Sequence, residues 1–193
     1  MLRLLAVLAL GTLTACGSVS KLQTDSAAAR RQIGDYPRVA VIDFAATATT
    51  DAKDADKQQA YATDLQAAQI KIADLIAAEI TERKAFDEVS RTPLEGPHLK
   101  VSGTITRYEE GNVAARMVTG FAGQAHFEAT VTVSDADSDT VLGTFSIDRN
   151  SWPLPIGAST NAVQNVGTFM GGAAKRVADE LAVARGKRSQ RED

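Results

Sequence analysis

Three segments in the middle of the chain alternate apolar and polar residues with a period of two, and no other feature restricts the fold so tightly. In Leu99 to Ile105 the odd positions are Leu99, Val101, Gly103 and Ile105. In Phe127 to Val133 they are Phe127, Ala129, Val131 and Val133. The same parity runs through Val141 to Ile147, broken only by Leu142 on the polar side. Side chains of an extended chain point alternately to opposite faces. Each segment is therefore expected to bury one face and wet the other, as in an antiparallel sheet solvated on one side. Asp135 to Thr140 supplies the turn between the last two. Upstream, Arg38 to Phe44 is a continuous apolar run after Pro37, which predicts a central strand buried on both faces. Phe86 to Ser90 is expected as a second short strand, with polar or proline-marked loops at Thr47 to Lys57 and Pro93 to Pro97.

Two stretches follow a helical period instead. Leu65, Ala68, Ile72, Leu75, Ile76 and Ile80 form one apolar stripe, predicting a helix from Lys57 to Lys84. Val163, Val166, Met170, Ala173, Val177 and Leu181 form another, predicting a helix from Thr160 to Ala184. Gly167, Gly171 and Gly172 on that helix are expected to let it approach the sheet closely. The order β-α-β-β-β-β-α predicts an α/β (α+β) domain over residues 37–184. Its mixed, largely antiparallel sheet would carry both helices on one face. The hydrophobic share is 44% but the aromatic share only 5%, so the core must rest on aliphatic side chains. A net charge of −3, with no basic stripe, argues against nucleic acid as a partner.

The start of the chain has a different character. Arg3 precedes an apolar run from Leu4 to Leu13, about half the ~20 residues a membrane-spanning helix requires. The pattern fits an export signal removed after translocation. The run ends in Leu13-Thr14-Ala15-Cys16, which holds the only cysteine and excludes an internal disulfide. This tetrapeptide resembles the lipobox of bacterial lipoproteins. The resemblance implies diacylglycerol on the Cys16 thiol, recognition of Leu13, Thr14 and Ala15 by the signal peptidase, and cleavage before Cys16. Residues 1–15 would then be the signal peptide, and Cys16 the acylated anchor to the membrane. Gly17 in place of an aspartate favours the outer membrane facing the periplasm. The alternative is an ordinary secretory signal with a free thiol nearby. Residues 16–36 read as a flexible tether, with a short helix over Ser26 to Ile33 as the lesser alternative. Residues 185–193 read as a charged tail.

Taken together, the lipobox, "VAVIDF", a long helix ending in "AFDEVSR", "LKVSGTITRYEEG", "ATVTVSDADSDTVLG" and a C-terminal helix resemble a family of uncharacterised bacterial lipoproteins, a domain of unknown function. The resemblance covers Pro37 to Leu181. More distantly the chain is similar to the periplasmic domain of curli-secretion lipoproteins and the N-terminal domain of Tol-system β-propeller proteins. It implies a fold and a location but no catalytic residue. Curli-secretion lipoproteins insert long hairpins into the outer membrane. The link from Glu110 to Gly123 is too short for a pair of membrane-crossing strands of about ten residues each.

Few residues suggest chemistry. His98 and His126 are the only histidines. Neither has another His, Cys or carboxylate at recognisable ligand spacing, so both are expected on the surface and no metal is expected. Asp135, Asp137 and Asp139 resemble the opening of a calcium loop, but Thr140 and Ser146 stand where its glycine and bidentate acid belong. An aspartate-capped hairpin turn is expected there. Nucleophile elbows and phosphate-binding glycine loops are absent, and neither a cofactor nor an enzymatic activity is expected. Met117, Val118 and Phe121 are unusual in a solvated link. Arg116 and Phe121 are candidates for a partner-binding lip, against a loop folded over the core. Trp152, before two prolines, is a further candidate contact, against packing on the domain edge. The expectation is a lipid-anchored periplasmic module that binds an unidentified envelope protein or component. A homo-oligomeric ring or scaffold, and a small-ligand binder or enzyme, stand as alternatives.

Overall fold

A computed structural model describes residues 18–112, 123–151 and 164–187. The three alternating segments form an antiparallel meander of β4 (Leu99–Glu109), β5 (His126–Asp135) and β6 (Val141–Asn150). The register aligns Gly103, Val131 and Phe145, and then Ile105, Ala129 and Ile147, across the three strands. One face thus collects the apolar set, with Leu99, Val101, Ile105, Phe127, Val131, Val133 and Phe145 fully buried. The other face carries a grid of Ser102, Thr132 and Thr144 beside Thr104, Thr130 and Ser146. Two bulges interrupt the meander. One inserts Thr106 in β4, and the other inserts Leu142 in β6. They explain the parity break at Leu142 and turn both Tyr108 and Leu142 into the core. Gly103 is needed for packing: a Cβ there would lie 2.3 Å from Phe44 Cε2 and 2.5 Å from the Thr130 carbonyl.

β1 (Arg38–Val41) lies between β3 (Glu88–Ser90) and β4, parallel to both. Val39, Ala40 and Val41 are fully buried, as the apolar run predicts. A two-residue β2 (Ala45–Ala46) adds parallel pairing to β4, and the order across the sheet is β3-β1-β4-β5-β6. Two long helices pack on the apolar side. α2 (Ala55–Arg83) connects β2 to β3, with Asp54 accepting from the Lys57 N–H at 3.1 Å at its start. It buries Ala68, Ile72, Ala73, Ile76, Ala77 and Ile80. A final helix, α3 (Val166–Ala184), is capped by Asn165 and buries Val166, Met170, Ala173, Val177 and Leu181. Val163 lies outside the described residues. The close-approach role expected for the helix glycines is corrected at Gly171, where an added Cβ would meet nothing within 4 Å.

The reading of residues 16–36 as a flexible tether is corrected over its described part. Residues 18–24 run antiparallel along the outer edge of β6. The Ser20 N–H donates to the Ser146 carbonyl at 2.9 Å, and Gln23 and Thr144 exchange two bonds of 2.9 Å. Leu22 is buried above Gly143, where any Cβ would fall 2.7 Å from Leu22 Cδ1. A helix follows, α1 (Ala27–Asp35), capped by Ser26 and fully burying Ile33. The charged tail likewise begins later than expected. The Arg185 guanidinium donates to the Gly34 carbonyl at 2.7 Å and the Ala85 carbonyl at 2.9 Å, and it lies over the Phe86 ring. Among the described residues no helix is long and apolar enough to cross a membrane.

Candidate functional site

The residues singled out from sequence lie outside the described residues: Leu13, Thr14, Ala15, Cys16, Arg116, Phe121 and Trp152. The backbone flanking the links that carry Arg116, Phe121 and Trp152 is described, and it brings the roots of the two links together. The Asn112 N–H donates to the Gly123 carbonyl at 2.8 Å, closing the root of the first link. Gly123 holds φ +71°, and a Cβ there would lie 2.8 Å from the Asn112 carbonyl oxygen. Two residues on, Ala125 and Ser151 exchange bonds: the Ser151 N–H donates to the Ala125 carbonyl at 2.9 Å, and the Ala125 N–H to Ser151 Oγ at 3.0 Å. Ser151 immediately precedes Trp152. The links bearing Phe121 and Trp152 are therefore rooted side by side, where β4 and β6 end and β5 begins.

A cleft of about 490 Å³ adjoins the same end of β4. Its walls are the loop through Thr49, Thr50, Asp51 and Ala52, the first turns of α2, and the tip of β4. The loop is held by N–H bonds from Thr47 and Ala48 to the Ile105 carbonyl and by Gln58 Nε2 donating to the Ala52 carbonyl. The Thr106 bulge aims Tyr108 inward, edge-on to Tyr61 from α2, with centroids 6.1 Å apart and planes at 67°. The Tyr108 hydroxyl donates to Glu110 Oε1 at 2.7 Å. The Tyr61 hydroxyl is buried and has no hydrogen-bond partner among the described residues.

Both phenols are pushed above the ordinary tyrosine range. For Tyr108 the cause is burial, then the hydrogen bond to Glu110. For Tyr61 it is burial, then the charge of Glu109. They stay protonated at neutral pH and serve as hydrogen-bond donors and aromatic faces, not as nucleophiles. Asp51, Asp64, Glu109 and Glu110 also line the cleft, against Lys57 as the cation of the lining among the described residues. Glu109 is shared with Arg107, 2.8 Å away. This arrangement suits a cationic or hydroxyl-bearing group.

The surface reading of the histidines needs two corrections. His98 is 5% exposed, with Nδ1 2.6 Å from the Gly96 carbonyl. His126 Nε2 lies 3.0 Å from Glu128 Oε1 and 3.1 Å from Asp148 Oδ1. Glu128 shares a strand face with His126, and Asp148 arrives across the sheet from β6, a proximity no local spacing reveals. His126 Nε2 is within hydrogen-bonding distance of both carboxylates, and Arg107 is 3.7 Å from Glu128. At the other end of the sheet the expected hairpin turn is present. Asp135 Oδ1 accepts from the Asp137 N–H at 2.9 Å and the Ser138 N–H at 3.4 Å.

Comparison with known proteins gives one family match. The profile of the domain of unknown function DUF4410 matches residues 39–154, more than half of the chain. No curated protein matches the chain. Among solved structures, a PelC dodecamer from Paraburkholderia phytofirmans is 16% identical with a TM-score of 0.46, over 84% of this chain and 97% of that one. Protein XCC0632 from Xanthomonas campestris, of the DUF330 family, is 13% identical with a TM-score of 0.42, over 77% and 85%. Scores this low transfer no function.

Proposed function

The chain belongs to the DUF4410 family, whose description assigns no activity, and on that footing we propose that it is a non-enzymatic, lipid-anchored module of the bacterial envelope. Cys16 carries the acyl chains after cleavage behind Leu13-Thr14-Ala15, and the domain faces the periplasm from the outer membrane. It binds an envelope protein or component at the end of the sheet where the two links and the acidic cleft meet. One observation carries this reading: Asn112 with Gly123, and Ala125 with Ser151, root the segments bearing Arg116, Phe121 and Trp152 beside each other. The aromatic and arginine side chains on these segments are of the types that dominate binding energy at protein interfaces. The two protonated tyrosines of the cleft favour binding over acid–base chemistry.

The test is photo-crosslinking in cells from Phe121 and from Trp152, each replaced in turn by a photoreactive residue, with mass spectrometry of membrane-fraction adducts. The same foreign partner is expected from both positions. Adducts between two copies of the chain from both positions would instead make the protein a subunit of a ring or scaffold. Absence of any adduct from either position, with Cys16 acylated, would sink the binding module.

A further inference from the structure

Resting on the Cys16 anchor proposed above, we propose that the domain lies directly on the membrane and presents the cleft between residues 18–19, β6 and α3 to anionic lipid headgroups. The sequence alone suggests a tether that lifts the domain away from the lipid. The structure leaves almost none. The Ser18 carbonyl accepts from the Asp148 N–H at 3.0 Å, Val19 bridges to Ile147, and the Ser146 N–H donates to Ser20 Oγ at 2.9 Å. Only Gly17 separates Ser18 from Cys16. Two Cα steps reach at most about 7 Å, so the acyl chains start within one side-chain length of the domain surface.

What surrounds that point is basic. A cleft of about 440 Å³ is lined by Ser18, Val19, Arg149, Lys175, Arg176 and Asp179. Asp179 is engaged by Arg83 Nε at 2.8 Å. Arg176, its side chain 19% exposed, is 3.0 Å from Glu180. Lys175 is exposed. Asp148, on the opposite face of β6 from Arg149, is held by His126. A chain of net charge −3 thus gathers three cations beside Ser18, two residues after Cys16. A headgroup phosphate accepts the charge-assisted hydrogen bonds that arginine and lysine supply, and each basic residue near an anionic surface adds about 1 kcal/mol of attraction.

The experiment uses the full chain, exported and processed in a bacterial host, with a spin label on Gly172→Cys, an uncharged position of the cleft lining that leaves all three cations in place, or, as the far-end control, on Asp137→Cys in the β5–β6 turn. Each is reconstituted in phosphatidylethanolamine vesicles with and without phosphatidylglycerol, and accessibility to a water-soluble nickel chelate is read. The expected result is shielding at 172 but not at 137, reduced several-fold when phosphatidylglycerol is omitted or when Arg149→Gln is added. Equal accessibility at both positions overturns the proposal. Mass spectrometry of Cys16 keeps the anchor separate. Should Cys16 prove unmodified, the anchor reading fails, and sedimentation of the chain with phosphatidylglycerol vesicles, compared with Lys175→Glu, reads the surface by itself. Binding that the charge reversal removes supports the headgroup site, and no binding overturns it.

Discussion

Tyr36 and Asp135 are 99 residues apart in sequence, and the tyrosine hydroxyl donates to the carboxylate at 2.8 Å. The contact ties the end of α1 to the β5–β6 turn. It lowers the Asp135 pKa, chiefly through the Tyr36 hydroxyl and then the Asp137 N–H. Burial first, then the same hydrogen bond, raises that of Tyr36. The signs give two windows. A depressed carboxylate contributes stability above its unfolded pKa, near 3.9, and that stability is lost as pH falls through the folded value. A raised phenol contributes below about 10, and its contribution is lost as pH rises through its folded value. Tyr36→Phe is therefore expected to flatten both the acid and the alkaline limbs of a plot of urea midpoint against pH. An acid limb as steep as that of the parent protein would disprove the coupling. The role of Asp135 as a turn cap was legible, because capping is local. Its tyrosine was not, because nothing near Tyr36 in sequence marks a partner so distant.

Among the elements, α1 and the strand-like run of residues 18–24 separate the structure furthest from the sequence reading. Each buries a single side chain fully enough to count as core, Ile33 in α1 and Leu22 in the run. One buried position sets up no period, so the edge run has no signal among the serines and charges around it, and the helix over Ser26 to Ile33 stands in the sequence only as the lesser reading beside a tether. The edge pairing along β6 is made by backbone groups, which every residue type carries. Ile33→Ala is expected to cost about 2–4 kcal/mol in urea unfolding, as for other buried aliphatic truncations. A tether would register within about 0.5 kcal/mol. Such a small change would return the segment to the sequence reading. The longer elements were legible for the converse reason. Six buried residues in α2 and eight in α3 repeat every turn.

Over the whole molecule, one apolar cluster runs from Leu22 to Ala182 through every layer. Arg83 pins the two long helices together, bonded to Asp179 of α3 at 2.8 Å and to Glu79 at 2.7 Å. Burial lowers its pKa, and these two carboxylates raise it by more, so the guanidinium stays charged. Arg83→Ala leaves two partly buried carboxylates facing each other and is expected to cost about 3 kcal/mol. The loss should appear in a single cooperative transition, seen alike by circular dichroism and by amide exchange in α1 and β5. Separate transitions would divide the core. The sequence by itself determined the identity and order of the long elements and the buried face of each meander strand, because these are written in local periods. Tertiary structure alone decided that the β6 edge is closed by residues 18–24, that two links share one root, that His126 meets Asp148, and that Ser18 lines a cleft with Arg149, Lys175 and Arg176. Those outcomes depend on strand register and backbone pairing between distant segments, which local composition does not encode.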